Sequence, residues 1–176
     1  MKKIFAFALA VAMMLTMVAC GGKEAAADKT PLAGTMDENA AKILEIAPVE
    51  FMAGPMPVDL SDTSEDGKWA LSYYTGLQSA ENVTDVAVYE SMMGSQAFSL
   101  VMVRTAEGAD AKAVAQEMKD NIDPRKWICV GADEMMVVIY SDVVMLVMLD
   151  SQLGLSTQTF VDAFQQVAGA EVDFSL

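Results

Sequence analysis

Carboxylates dominate the reactive side chains of this 176-residue sequence, with 25 Asp and Glu and no histidine to work beside them. Paired carboxylates serve as acid and base or as nucleophile, and clustered ones hold hard cations. Adjacent or near-adjacent acids occur at Asp133-Glu134 and at Asp120 and Asp123. A clustered set, Asp62-Thr63-Ser64-Glu65-Asp66-Gly67, places oxygen-bearing side chains at its first, third and fifth positions and glycine at its sixth, as the opening half of a calcium loop does. The twelfth position, which needs a bidentate acid, is Tyr73. That excludes an EF-hand and leaves a different calcium turn, completed by Asp59 or a distant carboxylate, against a plain solvated turn at Asp66-Gly67.

Missing histidine removes Ser-His and Cys-His nucleophile pairs, imidazole zinc sites and imidazole proton switching. A serine nucleophile with a lysine base in Ser-x-x-Lys spacing is also absent. Cys129, in Trp127-Ile128-Cys129-Val130, has an apolar setting that would raise its thiol pKa and leave it inert, and burial is expected. Methionine is abundant, 15 in all. Met52 with Met56, or Met92 with Met93, could hold Cu(I) through soft sulfur, but Met102, Met118, Met135 or Met136, Met145 and Met148 fall on core positions, and core packing is the simpler account. No catalytic residue, cofactor or metal ligand is therefore assigned. A formal charge of −14 further excludes nucleic acid, whose phosphates require a basic face.

The N-terminus carries an address. Lys2 and Lys3 precede an apolar run over 4–19, too short for a comfortable membrane span and shaped like a secretory signal. It ends in Met17-Val18-Ala19-Cys20, followed by Gly21-Gly22, which resembles the bacterial lipobox although Met17 stands where leucine is usual. The resemblance implies that residues 1–19 are a lipoprotein signal peptide and that Cys20 is diacylated, placing the chain at the extracytoplasmic face of the cell membrane. Without residues 1–19, which hold two lysines and no acid, 9 basic residues face 25 acidic ones, a net charge of −16. Cys129 then has no partner for an intramolecular disulfide. Residues 20–34 read as lipid attachment and flexible tether, and 35–176 as a single domain.

The elements follow from pattern. Thr35 and Glu38 form a capping box before an apolar helical periodicity over 36–47, ended by Pro48. The proline-rich and acidic stretch 51–68 reads as a loop, and 69–77 leans to a short helix. Alternation then predicts a hairpin of strands from Val83 to Tyr89 and from Phe98 to Val103, followed by an amphipathic helix over 109–122. Strands over 135–140 and 143–149 are joined at Ser141-Asp142, and Ser156 caps a last helix that Gly169 ends. Strand, strand, helix thus occurs twice, as in a degenerate duplication. The expected fold class is α+β: a two-layer sandwich in which an antiparallel sheet of about four strands carries the helices on one face. The strands over 135–149, apolar on both sides, are expected at the centre, with the other hairpin toward an edge.

From Tyr74 to Leu149 the layout resembles an uncharacterised family of lipoproteins of low-GC Gram-positive bacteria, defined only as a domain of unknown function. The shared features are the lipobox, the Tyr-Thr-Gly-Leu segment from Tyr74 to Leu77, the strand Val83 to Glu90, the amphipathic helix, and paired strands from Met135 to Leu149. Where the family shows a Gly-Asn-Tyr-Val-like turn, this chain has Ser141-Asp142-Val143-Val144. The resemblance implies secretion and one small domain, and brings no catalytic residue or substrate.

The expected function is a non-enzymatic, lipid-anchored extracytoplasmic protein that binds an envelope protein, a peptide or a small ligand. The membrane partner acts through Cys20, and contact is expected at a strand edge within Val83 to Arg104 or at the loop holding Phe51, Met52 and Met56. The competing expectations are a carboxylate-dependent extracytoplasmic hydrolase and an accessory lipoprotein for a metal or solute.

Overall fold

The structure, a computed structural model, describes residues 30–176. The proposed signal peptide, Cys20 and most of the tether lie outside the described residues. Four helices and six strands follow in the order α1 (Met36–Ile46), β1 (Ala53–Pro55), α2 (Glu65–Thr75), β2 (Val83–Ser91), β3 (Phe98–Thr105), α3 (Ala111–Asn121), β4 (Glu134–Tyr140), β5 (Val143–Leu149), α4 (Thr157–Ala168) and β6 (Phe174–Ser175). All strands join one antiparallel sheet, in the order β1-β2-β3-β5-β4-β6. The α+β class is as the sequence predicts.

The helix starts are set by local chemistry. Thr35 accepts from the Glu38 backbone N–H while Glu38 reaches back to the Thr35 N–H, the reciprocal box that satisfies two orphan donors. Ser64, Asp110 and Ser156 cap α2, α3 and α4 with their side-chain oxygens. Helix α2 begins at Glu65, inside the stretch read as loop, because Ser64 caps it there and Gly67 lets its first turn close on Asp62: a Cβ at Gly67 would sit 2.5 Å from the Asp62 carboxyl carbon.

Helices cover both faces of the sheet, which corrects the two-layer, one-face arrangement. Alternate side chains of β3, β4 and β5 separate two cores. Leu100, Met102, Val138, Met145 and Val147 pack with residues of α1 and α4, including Ile43, Phe160 and Phe164. Val101, Val103, Val137, Val144, Leu146 and Met148 pack with Leu71 of α2 and with Val114, Ala115 and Met118 of α3. Connection handedness explains the division. Strands β3 and β4 both oppose β5, so they run parallel, and α3 is the crossover between them; β5 and β6 both oppose β4, and α4 crosses between those. Both crossovers step the same way along the sheet from strands pointing in opposite directions. Right-handed connections then place α3 and α4 on opposite faces. A strand-strand-helix repeat about an axis normal to the sheet would keep them on one face, so the helices do not follow the expected duplication.

The sheet also differs from expectation in its centre and edges. Strands β3 and β5 share the centre, and β3 is buried almost throughout. The two added strands, β1 and β6, are only three and two residues long. At the N-terminal boundary, Leu32 is buried in the first core, and the Arg104 guanidinium donates to the carbonyls of Leu32 and Gly34 at 2.6 and 3.0 Å. Residues 32–34, expected in the tether, therefore pack onto the domain.

Candidate functional site

The expected chemical residues turn out to be structural ties. Asp133 accepts from the backbone N–H and hydroxyl of Ser151, both at 2.7 Å, and Glu134 accepts from the N–H and hydroxyl of Thr157. This pair fastens the start of β4 to the turn at Ser151 and to the start of α4 at Thr157. Asp120 accepts from Gln116, and Asp123 from the Arg125 N–H. In the calcium-like loop, Asp62 accepts from the Ser64 N–H and Asp59 from the Ser61 N–H and hydroxyl. Those hydrogen bonds hold Asp59 and Asp62 below the ordinary carboxylate range, since they favour the charged form. Asp59, Asp62 and Asp66 line an open depression of about 310 Å³ with Pro57, Val58 and Ala70. Among the described residues, no three carboxylates or thiols converge as a metal site.

One end of the sheet is different. Of the large apolar side chains exposed among the described residues, Met52, Met92, Met93 and Ile128 gather where β1, β2 and the 126–130 loop meet. Register makes the cluster. Ala53 pairs with Ser91, so Met52 and Met92 are the next cross-strand neighbours, and the Met92 N–H donates to the Met52 carbonyl at 2.9 Å. The Met92 thioether lies over Gly54. Ile128 donates its N–H to the Gly94 carbonyl at 2.8 Å and covers Gly94 so closely that an added Cβ would meet its δ-methyl at 3.4 Å.

A buried ion pair fixes the floor beside this patch. The Lys126 ammonium pairs with the Glu90 carboxylate, their side chains 1% and 7% exposed. Lys126 lies over the rings of Tyr73, Tyr74 and Trp127 at 5.2, 5.6 and 5.5 Å from their centroids, and it also donates to the Tyr73 carbonyl. Tyr73 returns a hydrogen bond from its hydroxyl to the Lys126 carbonyl at 3.1 Å and stacks on exposed Trp69. Burial pulls the Lys126 pKa down, opposed by Glu90 and Asp123; burial and then Glu90 push Tyr73 and Tyr74 up. Ser99, paired across from Glu90, is fully buried, so its hydroxyl is closed to any substrate.

Three earlier expectations change here. Cys129 is exposed, and it adopts a positive φ of 64°, because the 126–130 loop turns outward after Trp127. Phe51 is half-buried with its ring edge-on to Phe98, and Met56 packs against the second core, so only Met52 of that loop trio stands free. Strand β3 is interior, and β1 covers β2 only at Tyr89 to Ser91, so within the Val83 to Arg104 segment the edge to which no strand pairs is the Val83 to Ala87 part of β2. Sequence reading missed the Glu90–Lys126 pair, although a signal was there: Glu90 continues the inward alternation of Val86 and Val88. An acid on an inward face requires a buried partner cation.

Comparison of the chain with family models, with curated proteins and with solved structures finds no significant match.

Proposed function

We propose that the protein is a non-enzymatic binding lipoprotein, anchored through acylated Cys20 at the extracytoplasmic face of the cell membrane, and that it docks an envelope protein or peptide. Its resemblance to the low-GC Gram-positive lipoprotein family belongs to the same reading. The observation that carries the binding role is the gathering of exposed Met52, Met92, Met93 and Ile128 at one end of the sheet, on a floor fixed by a buried ion pair. Contiguous exposed apolar side chains on a rigid base are costly to leave in water and are characteristic of docking surfaces. The described chain enters at the opposite end, where Leu32 and Gly34 are held by Arg104 beside the β4–β5 turn residue Asp142. Eight residues of β3 separate the two ends by about 25 Å. A chain tethered at Cys20 through that entry therefore enters the fold at the end away from the apolar side chains.

Expression of the full chain in a bacterium, followed by fractionation and mass analysis of the N-terminus, tests the anchor. The expected result is a diacylated Cys20 in the membrane fraction and release of Cys20→Ala. An unmodified Cys20, or a Cys20→Ala protein that stays membrane-bound, contradicts it. The binding half is tested by envelope complexes that form with the native chain and are lost on Met52→Ser/Met92→Ser/Ile128→Ser; complexes indifferent to those changes contradict it.

A further inference from the structure

Resting on the binding reading above, we infer that the occupant of the Met52–Met92–Ile128 face is a cationic amphipathic helix of a partner protein. Two observations select it. The first is charge: Glu45, Glu50, Asp123 and Asp133 are exposed near this end and outnumber the exposed Arg125 beside Asp123, the chain as a whole carries −14, and Lys126 spends its charge underneath on Glu90. Helix α1 finishes there with Glu45 and no basic residue in its last turn, so its carbonyl end adds to the negative potential. An apolar patch in an acidic field favours a partner with apolar residues flanked by Lys or Arg, and disfavours a second copy of this chain or an anionic lipid surface.

The second observation concerns the mode of contact. Beside the patch the open edge is β1, and a peptide could in principle extend the sheet there. The bonds Met92 N–H to Met52 carbonyl and Met56 N–H to Val88 carbonyl put residues 52, 54 and 56 in phase facing β2. Only Ala53 and Pro55 face outward, and Pro55 has no N–H, so the edge offers a single donor. Strand addition is thereby blunted beside the patch, while the side-chain surface remains open. A helix laying an apolar stripe across the methionines, which adapt to varied shapes, uses what is exposed.

The test uses the full lipidated chain in zwitterionic nanodiscs and a fluorescein-labelled 18-residue helical peptide of leucine and lysine, with the leucine and glutamate version as its counterpart. Anisotropy, corrected with empty nanodiscs, should show saturable binding of the lysine peptide. Binding should weaken roughly tenfold on Met52→Ser/Met92→Ser/Ile128→Ser, and similarly on Glu50→Lys/Asp123→Lys. The glutamate peptide should not bind. All five residues are exposed, although the Asp123 carboxylate also accepts the Arg125 N–H, and an unchanged thermal midpoint checks that the variants fold. Equal binding by the serine variant would reduce the effect to unspecific charge attraction and overturn the inference. Equal binding of the glutamate peptide, lost in the serine variant, would overturn the cationic partner while leaving the docking face intact. Capture of added zwitterionic vesicles by the native chain but not the serine variant would make a lipid surface the occupant instead.

Discussion

Lys126 shows how one charge can organise a surface it never reaches. Its ammonium is held by Glu90 and three aromatic rings, and the loop that follows carries Ile128 and Cys129 outward. Removing the cation alone strands a buried carboxylate. Lys126→Met should therefore destabilise by about 3–5 kcal/mol, and Lys126→Met/Glu90→Leu should recover most of that loss, as urea unfolding would show. Asp133 makes a separate prediction in pH. Hydrogen bonds from Ser151 lower its pKa below 3.8, so its contribution is complete above that value and is lost as pH falls through the depressed pKa. The gap in melting temperature between the native chain and Asp133→Asn should be open at pH 7 and close toward pH 2. The carboxylate pairs were legible in the sequence as residues, but whether they face a cleft or a neighbouring N–H depends on contacts such as Asp133 to Ser151, eighteen positions away.

Among the elements, the long amphipathic patterns were legible because each has one apolar stripe and a local stop signal. Thr35 with Glu38, Ser156 and Gly169 mark helix ends within four residues of the pattern they bound. What pattern alone does not carry is the face a helix joins. The placement of α3 and α4 follows from strand order, and strand order depends on β5 inserting between β3 and β4, a long-range pairing with no local signature. Strands β1 and β6 escape for another reason: three residues ending in proline and two near the C-terminus are too short for period-2 alternation to register. Gly76 ties α2 to α3, because it ends α2 at φ 81° with its Cα against the Met118 carbonyl. An alanine Cβ there would lie 2.4 Å from that oxygen, in a left-handed backbone conformation. Gly76→Ala should cost more than about 1 kcal/mol, read as a lower urea midpoint with unchanged slope.

For the whole molecule, the division of labour runs along the sheet: chain entry at the Arg104–Asp142 end, apolar side chains at the Met52–Met92–Ile128 end. The address was legible in the first twenty residues, and the acidic excess was legible in composition. The docking end was legible only in part: Met52 stood out in its loop and Met92 beside Met93, but that these meet each other and Ile128, from three separate segments, depends on the β1–β2 register and the 126–130 loop. The most direct measurement places a photo-crosslinker on Cys129, the free thiol of the described chain, which is exposed beside Ile128, and compares it with one at Thr84→Cys in a Cys129→Ser background, exposed at the opposite end of β2. In intact cell envelopes, the lipidated chain should give a discrete adduct from Cys129 and none from position 84, and the adduct should vanish with Met52→Ser/Met92→Ser. Adducts of equal yield from both positions, or one that persists when the methionines are gone, would contradict binding through this face.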